Sequence, residues 1–550
     1  MSFQIGFYTE KWQAPHHSLV QLLLKKYPNA DHYQDEHCFL LNHSHGSWQS
    51  NDWHQTPESI LLCFGHPLLS QNRSQDLKQL NQAQLNVQAL EDAQGSYLLT
   101  HYNTRSKQLT LCADPLAIRP FYTTEFAGGT LFANRMKPLV EYAPLTKRNV
   151  DAQLEYALLG YTLGEHTPYQ RLRASLPGEV LTLTGQSQRF SRHHSWHHLA
   201  SKPGENLDAG IEQLDSAFKQ AVARYCADDH HFVSTLSGGL DSRLIASELR
   251  RQGKQIQSLN FSRSLTQDLW CAQQFADSQG ISLEVIAVDD TQAKTCEQRL
   301  GQHWNSENFA NYHDVERPQL VWSGNGGSVC VGQIYTSAPL LDAIKTGDTE
   351  QVIDAYIAQQ QAIVPAALID DGSNQQLRFK ERLMAALAKY STLPMSKAWQ
   401  LFLWENDQHQ HVAIPFEEMD QFQLDFYLPF YSKGVLDAMM SMPMEAATRH
   451  GIYMEWTQRH YPQMLTTPWQ TYPEHLPCPL PKPANLQHQW QLALPKGTRR
   501  ALQHQGWQSC LNGKPPLKRA AIAARLLADQ LGIRDASAHL KFVAQYQRWR

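Results

Sequence analysis

The segment STLSGGLDSRLIASEL, residues 234–249, places two glycines, two serines and an aspartate between an apolar run and a helix-like segment. A strand that ends in Ser-Gly-Gly and leads into a helix leaves backbone N–H groups unpaired at the positive end of the helix dipole. Gly238 and Gly239 lack a Cβ atom, so the main chain can approach an anion closely, and Ser237 and Ser242 can add hydroxyl donors. The sequence therefore predicts a strand, a phosphate-binding turn and a helix.

The same turn lacks a lysine. A Walker-type phosphate loop needs Gly-x-x-x-x-Gly-Lys-Ser/Thr, whereas this turn contains Asp241. Because an acid beside phosphates binds them through a cation, Asp241 is the candidate Mg²⁺ ligand. The alternative is an ordinary glycine turn before a helix, but the length of the string SGGLDS favours the anion site.

Strand and helix signals around this turn divide the chain into three parts. Residues 1–145 contain short apolar runs broken by turn residues, which is a β-rich pattern: FQIGFY, HCFLLN, SILLCF, GSYLLTHY, QLTLCA and GTLFAN. Beyond residue 205 strands alternate with helices, which predicts a doubly wound parallel sheet. Since a chain of 550 residues exceeds a single hydrophobic core, we expect domains at 1–200, 205–475 and 476–550, the last a helical tail after the proline-rich HLPCPLPKPAN.

Composition gives no electrostatic case for nucleic acid or membrane as a partner. The net charge is −4, with 42% hydrophobic residues, no apolar run long enough to span a membrane and no recognisable signal peptide. We therefore expect a cytoplasmic protein. The nine cysteines are scattered singly, and the histidines of RHHSWHHL lack the Cys or carboxylate that would complete a metal site, so no metal is expected there.

The string SGGLDSR resembles the pyrophosphate loop of N-type ATP pyrophosphatases, in particular the synthetase domain of the asparagine synthetase family. GSYLLTHYNTRSKQLTLCADPLAIRPFYTTEFAGGTLFANRMKPLVEY resembles the family's class II glutaminase domain. Further matches are LPGEVLTL, DLWCAQQFA and QLVWSGNGG, so the similarity covers roughly residues 90–340 well and 410–465 loosely. The resemblance implies an N-terminal Ntn-hydrolase-like αββα sandwich, then a doubly wound ATP pyrophosphatase domain with a helical C-terminal part.

The resemblance also implies a chemistry and a set of site residues. Relatives activate a carboxylate with MgATP, release pyrophosphate and let an amine or ammonia attack the acyl-adenylate. Asp241 and Arg459 are the implied catalytic residues, and Asp241, Asn325 and Ser328 are the candidate Mg²⁺ ligands. The implied ATP-binding residues are Leu236, Ser237, Gly238, Gly239, Asp241, Ser242, Arg263, Ser323 and Gly324.

Two groups of departures from the family pattern bear on activity. Relatives that use glutamine begin with a nucleophilic cysteine, whereas this chain has Ser2, so glutaminase activity is not expected. The family pattern Ser-Gly-x-Gly-x-Asp-Glu becomes SGNGGSV, so that Ser328 and Val329 replace the two acids.

Near residue 430 Tyr427, Ser432 and Glu455 align with an arginine, an aspartate and a lysine of the family. Each missing charge of this type costs about 10²–10³ in rate.

Three functions stay open at this point. The first is an ATP-dependent amide-bond synthetase without its own glutaminase, closer to the family members that lack the N-terminal cysteine, such as β-lactam synthetases and lasso-peptide cyclases. The second is a catalytically eroded paralogue that acts as a binding or scaffold protein. The third is a glutamine-hydrolysing asparagine synthase. The expected partners are ATP and a carboxylate, and a peptide or a biosynthetic partner protein is a further candidate.

Overall fold

The computed structural model describes residues 3–44, 48, 50–70, 72–145, 147–200, 206–227, 232–291, 294, 296–305, 320–410, 412–413, 424–473, 475–513 and 515–548. Within the first 200 residues it contains two six-stranded sheets in which every strand pair is antiparallel. The first has the strand order β10-β8-β9-β1-β3-β2 and the second β12-β11-β7-β6-β5-β4. The strands are β1 (Phe3–Tyr8), β2 (Asp31–Gln34), β3 (Cys38–His43), β4 (Trp53–Gln55), β5 (Ser59–Gly65), β6 (Tyr97–Asn103), β7 (Gln108–Ala113), β8 (Tyr122–Phe126), β9 (Gly129–Ala133), β10 (Leu172–Ala174), β11 (Glu179–Thr184) and β12 (Ser187–Arg192).

These two sheets stack between two layers of helices. Because successive side chains of a strand point to opposite faces, Phe39 and Leu41 pack with the outer helices on the first sheet, while Leu40 packs between the sheets. In the second sheet Leu62 faces the first sheet and Leu61 faces the helices behind it. The helices are α1 (Ala14–Lys26), α2 (Arg73–Gln82), α3 (Val87–Glu91), α4 (Met136–Tyr142), α5 (Val150–Leu159) and α6 (His197–Ala200). This arrangement is the predicted αββα sandwich.

A five-stranded parallel sheet follows, with the order β15-β14-β13-β16-β17. Its strands are β13 (Phe232–Thr235), β14 (Ile256–Ser262), β15 (Ser282–Ala287), β16 (Leu320–Trp322) and β17 (Asp425–Tyr427). The helices around it are α7 (Leu207–Cys226), α8 (Leu240–Arg251), α9 (Gln267–Gln279) and α10 (Cys296–Asn305). The predicted fold class is confirmed, because the antiparallel sandwich is followed by a parallel sheet in which helices alternate with strands.

The rest of the described chain is mainly helical. Its helices are α11 (Ala338–Thr346), α12 (Thr349–Gln360), α13 (Gly372–Ala388), α14 (Met395–Leu403), α15 (Lys433–Ser441), α16 (Met444–Ala447), α17 (Gly451–His460), α18 (Lys496–Asn512), α19 (Arg519–Gln530) and α20 (Ser537–Tyr546). The last three helices bury a common core that includes Leu526 and Leu540 together with Leu154 of α5. Among the described residues no helix has both the length and the apolar character needed to cross a membrane.

A buried ion pair joins the sandwich to the parallel sheet. Arg119, which follows β7, donates to Asp425 at the start of β17 over 2.6 Å, and both side chains are almost fully shielded from solvent. Trp48 donates its indole N–H to the same carboxylate over 3.0 Å. At the other end of β17 the carbonyl of Tyr427 accepts the N–H of Ser323 over 3.1 Å. The sandwich therefore contacts a strand that leads directly to the edge of the sheet where the candidate site lies.

Candidate active site

A cavity of about 410 Å³ lies at the edge of the parallel sheet formed by the C-terminal ends of its strands. Strand β13 pairs with β14 on one side and with β16 on the other, so the strand order reverses at β13. Ligands of doubly wound sheets bind at such a reversal point. The lining residues are Thr235, Leu236, Ser237, Asp241, Ser242, Leu259, Asn260, Phe261, Asp268, Arg299, Ser323, Gly324, Asn325 and Gln489.

The turn after β13 is held by hydrogen bonds within itself. The N–H of Ser237 donates to Ser242 Oγ over 3.0 Å, that of Gly238 to Asp268 Oδ1 over 2.9 Å, and that of Gly239 to Ser237 Oγ over 3.3 Å. The expectation that consecutive N–H groups of this turn point outward unpaired is therefore wrong for these three residues. The donors without an intrahelical acceptor are those of the first turn of α8, residues 240–242, which begins after Gly239.

Gly238 is required by a close approach between two chain segments. A Cβ atom at this position would lie 2.6 Å from the carbonyl oxygen and 2.8 Å from the Cα of Asp268. Asp268 lies in the first turn of α9 and also accepts from Asn260 Nδ2 over 3.3 Å. Burial raises the pKa of Asp268, and the hydrogen bonds from Gly238 and Asn260 oppose that rise. The role of Asp268 is therefore to hold the turn.

Asp241 presents one carboxylate oxygen that has no well-aligned partner. Its Oδ2 accepts the N–H of Ser328 over 3.0 Å and the hydroxyl of Ser328 over 2.7 Å. Its Oδ1 is shielded from solvent and has no hydrogen-bond partner in the described part of the chain. Burial raises the pKa of Asp241, while the hydrogen bonds from Ser328 and the nearby hydroxyl of Tyr453 lower it.

The segment 323–328 forms the opposite wall: Ser323, Gly324 and Asn325 line the cavity, and the segment leads from β16 into a π-helical turn at Gly327–Val331. A Cβ atom on Gly327 would lie 2.6 Å from Oδ1 of Asp241, so this glycine leaves room for the carboxylate. Behind it His450 Nε2 lies 3.2 Å from Ser328 Oγ. Burial, and then the neighbouring His475, lowers the pKa of His450 to about 3, so the ring is neutral. Because the hydroxyl of Ser328 donates to Asp241, the Nε2–H tautomer of His450 donates to Ser328.

The oxygen atoms on the cavity walls could bind Mg²⁺ with a single carboxylate, that of Asp241. Mg²⁺ is usually bound by one or two carboxylates together with substrate phosphates and waters. Asp241 Oδ1 is the buried oxygen that offers such a contact, and the side chain of Asn325 lies on the same cavity wall. The hydroxyl of Ser328 is engaged twice, as donor to Asp241 and as acceptor from His450. Ser328 therefore orients Asp241 in this geometry, and its role as a metal ligand stays a prediction.

Arg243 connects the turn to a segment far along the chain. Its guanidinium is fully buried and donates to the carbonyls of Thr467, Cys271 and Pro468 over 2.5–3.2 Å. Burial lowers the pKa of Arg243 to about 10. The N–H of Gln470 also donates to the carbonyl of Gly238 over 2.8 Å. The segment after α17 is thus fixed against the turn by hydrogen bonds.

Two of the sequence-predicted residues have side chains outside the cavity. Arg263 donates to Asp290 over 2.7 Å and to the carbonyl of Ala493 over 3.0 Å. Arg459 lies on the outer face of α17, where it pairs with Asp208 over 2.7 Å and with Glu455. A catalytic role for Arg459 stays a prediction that this geometry does not support. The predicted residues Leu236, Ser237, Asp241, Ser242, Ser323, Gly324 and Asn325 line the cavity, and Ser328 lies directly behind Asp241. Gly238 and Gly239 belong to the same turn but do not line the cavity.

Seven cavity-lining residues, and two on the far side of Asp241, were not predicted from the sequence: Thr235, Leu259, Asn260, Phe261, Asp268, Arg299, Gln489, His450 and Tyr453. Arg299 of α10 and Gln489, which precedes α18, line the cavity, while His450 and Tyr453 lie on the far side of Asp241. None of these last four lies within 50 residues of Asp241 in the chain. The sequence signal for His450 and Tyr453 was their closeness to Glu455, which aligns with a lysine of the family.

The described cysteines of the sandwich are unsuited to nucleophilic catalysis. Cys38, Cys63 and Cys112 are all buried. Burial raises the pKa of each thiol, that of Cys63 to about 11, whereas a nucleophilic cysteine needs a lowered pKa. Ser2, on which the expectation about glutamine rests, lies outside the described residues.

Comparisons with known proteins give two successive domain matches. Residues 79–196 match the glutamine amidotransferase domain family and residues 213–315 match the asparagine synthase family. A putative glutamine-hydrolysing asparagine synthetase of Mycobacterium tuberculosis is 24% identical over 180 residues, 29% of this chain and 26% of that protein. Asparagine synthetase 3 of Bacillus subtilis is 25% identical over 169 residues, 29% of this chain and 27% of that protein. The chain thus matches about a quarter of the length of these curated relatives.

Two solved structures are similar at a level that carries no conclusion. The glutamine phosphoribosylpyrophosphate amidotransferase of B. subtilis with ADP and GMP is 10% identical, with 65% of this chain and 79% of that chain covered and a TM-score of 0.24. An allosteric regulatory enzyme of purine biosynthesis is 11% identical, with 54% and 82% covered and the same TM-score. Residues 79–196 and 213–315 are thus similar, in this order, to a glutamine amidotransferase domain and to asparagine synthase, and the curated relatives are asparagine synthetases.

Proposed function

We propose that the chain is an ATP-dependent amide-bond synthetase that adenylates a carboxylate, releases pyrophosphate and couples the acyl group to an amine or ammonia. Residues 205–475 form the ATP pyrophosphatase domain of this proposal. The observation that carries it is the cavity at the reversal point of the parallel sheet, where the first turn of α8 and the unpartnered Oδ1 of Asp241 meet. The asparagine synthase match over 213–315 supports it, because the family activates carboxylates with ATP.

The described residues suit the binding of a polyphosphate. The N–H groups of residues 240–242 and the dipole of α8 provide donors and positive potential at one wall. The apolar side chains of Leu236, Leu259 and Phe261 line the same cavity and provide a surface for the adenine ring.

Asp241, with Asn325 beside the same cavity, would hold Mg²⁺, which supplies charge neutralisation on the pyrophosphate leaving group. Ser328 and His450 keep the carboxylate of Asp241 in one orientation.

The amine does not come from glutamine hydrolysed by the same chain in this proposal. The three described sandwich cysteines are buried thiols with raised pKa values, and position 2 is a serine. The sandwich then serves as a structural partner of the synthetase domain through the Arg119–Asp425 ion pair. Glutamine hydrolysis is the competing interpretation, since the curated relatives are named for it. Release of glutamate from glutamine, abolished in Ser2→Ala, would support that interpretation instead.

The test is ATP–pyrophosphate exchange with radiolabelled pyrophosphate, measured with aspartate, other amino acids, sugar acids and peptides as carboxylate candidates. We expect exchange with at least one candidate, and a loss of about 10²–10³ in rate in Asp241→Asn. Asp241→Asn retains an oxygen that can accept from Ser328, so folding is checked by comparing its thermal unfolding with that of the unaltered protein. Equal exchange in the variant would contradict the role of Asp241.

A non-catalytic nucleotide-binding protein is the second candidate. The observation that favours it is the wall at residues 323–328, where Ser328 and Val329 stand in place of the acids that the family resemblance implies. ATP binding without exchange for any carboxylate would select this candidate. ATP binding together with exchange would reject it.

A further inference from the structure

Arg299 is the only basic side chain among the described residues that line the nucleotide cavity. It lies on α10, the helix that follows β15, at the opposite end of the sheet order from β17. The preceding and following strands bring α10 to the same edge of the sheet as the turn after β13, because all five strands run parallel. Leu300, the next residue, is almost fully buried and anchors the helix. The position of Arg299 is therefore set by the packing of α10.

The guanidinium of Arg299 differs from the other arginines near the site in lacking any partner in the part of the chain that the structure describes. Arg243 is bound to backbone carbonyls, Arg263 to Asp290, and Arg459 to Asp208. Arg299 is half-buried and takes part in no ion pair or hydrogen bond with a described residue. An arginine held at a cavity wall without an acidic partner is available for an anionic ligand.

The charges of the cavity favour a fixed cation, in addition to Mg²⁺, when a polyphosphate binds. Two carboxylates, Asp241 and Asp268, line the cavity, and only one guanidinium faces them. Asp268 is engaged by Gly238 and Asn260 and does not bind Arg299. A triphosphate placed beside two carboxylates is repelled unless positive charge lies within a few ångströms. The turn itself contains no lysine that could supply it.

We propose that Arg299 binds the phosphate chain of the nucleotide and supplies the positive charge that a lysine provides in Walker-type loops. The planar guanidinium donates two parallel N–H groups to phosphate oxygens, which fixes the phosphates against the turn as well as neutralising them. This inference rests on the proposed function, since it names a further residue of the same ATP site.

The test measures the binding of three probes, ATP with Mg²⁺, inorganic pyrophosphate with Mg²⁺, and adenosine, by isothermal titration calorimetry. In Arg299→Gln we expect ATP and pyrophosphate to bind about 10- to 100-fold more weakly, because one charge-assisted contact is lost, with adenosine unchanged. Arg299→Lys keeps the positive charge but loses the two parallel N–H donors of the guanidinium. Its affinity for ATP and pyrophosphate should therefore lie between those of the unaltered protein and Arg299→Gln. Arg250→Gln, an exposed arginine on α8 with one contact to the carbonyl of Gly280, is the matched control and should bind as the unaltered protein does.

The outcomes separate this inference from the proposed function. If the unaltered protein binds neither ATP nor pyrophosphate, the proposed function itself is wrong. If it binds ATP and Arg299→Gln binds ATP equally well, the role of Arg299 is wrong and the proposed function stands. Equal weakening of ATP and adenosine in Arg299→Gln would also overturn the role, because it indicates a disturbed cavity. Should Arg299→Gln not fold, the same comparison is made with Arg299→Lys.

Discussion

The two walls of the cavity at the C-terminal edge of the parallel sheet differ in the contacts that hold them in place. The first wall, the turn at 236–242, is built from residues close in sequence, and Asp268 and Asn260 fix it from the neighbouring strand and helix. The second wall, at 323–328, offers no acidic side chain and is fixed by His450 behind Ser328. The two walls meet at one contact, the pair of hydrogen bonds from Ser328 to Asp241.

This difference indicates that the two walls have different roles in the cavity. The first wall carries the N–H donors of α8 and Oδ1 of Asp241, which accepts from neither group of Ser328; these atoms suit phosphate and a cation. The second wall holds Asp241 in position and leaves space for it through Gly324 and Gly327, whose added Cβ atoms would approach Asp241 to 3.0 Å or less. Under the proposed function, the ATP site would then not depend on acidic residues in the second wall.

The largest effect is expected where the first wall is attached to the rest of the chain. Arg243→Lys removes the guanidinium that donates hydrogen bonds to the carbonyls of Thr467, Cys271 and Pro468. The free energy of unfolding should therefore fall by about 3 kcal/mol. Urea denaturation at pH 7 measures it. Arg250→Lys, an exposed change on the same helix, should leave the unfolding free energy within about 0.5 kcal/mol. An unchanged midpoint in Arg243→Lys would show that the attachment does not stabilise the fold.

Two adjacent glycines of the first wall should respond very differently. In Gly238→Ala the new methyl group meets the backbone of Asp268 at 2.6 Å, which costs about 2 kcal/mol of stability. In Gly239→Ala the nearest atom is Ser237 Oγ at 3.5 Å and the backbone lies in the ordinary extended region, so thermal unfolding should change little. Equal destabilisation by both substitutions would contradict the close approach at Gly238.

A smaller effect is expected on the second wall. Ser328→Ala removes one hydrogen bond to Asp241 and leaves the N–H of His450 without its acceptor, which should cost about 1 kcal/mol. Binding of MgATP should also weaken, because Asp241 loses part of its orientation. The control is Ser509→Ala, a buried serine of α18 that donates within its own helix and should leave MgATP binding unchanged. If Ser328→Ala and Ser509→Ala bind MgATP equally well, Ser328 does not contribute to the binding site.

The smallest effect is expected at Arg459, on the outer face of α17. Its ion pairs with Asp208 and Glu455 are exposed, and such pairs contribute less than about 1 kcal/mol. Arg459→Gln should change ATP–pyrophosphate exchange by less than about twofold. A decrease of tenfold or more in the exchange rate would support the catalytic role that the resemblance implied. It would also mean that α17 turns Arg459 toward the cavity, in contradiction to the structure.

The sequence predicted the elements whose signals are local. The six apolar runs of residues 1–145 all form strands, whereas β2, β4, β8 and β10 were missed because they are short and mostly polar. The turn at 236–242 was predicted because its glycines, serines and aspartate are contiguous. The internal bonding of its N–H groups was not predicted, since Asp268 comes from another helix.

The rest of the site depends on contacts between distant parts of the chain. Arg299 is 58 positions from Asp241 and His450 is 122 positions from Ser328, and no spacing rule links such pairs. Arg459 was placed at the site by alignment alone, but the turn of α17 that faces Asp241 carries Tyr453. One residue step on a helix rotates a side chain by about 100°, so an alignment error of one or two positions exchanges a buried face for an exposed one.

A crystal structure of the protein with Mg²⁺ and a non-hydrolysable ATP analogue would show directly whether the cavity beside the turn at 236–242 binds the nucleotide. We expect phosphate density within hydrogen-bond distance of the first-turn N–H groups of α8, with the adenine ring against Leu259 and Phe261 and the cation on Oδ1 of Asp241. A triphosphate bound outside this cavity, or one whose phosphates point away from the turn, would contradict the account.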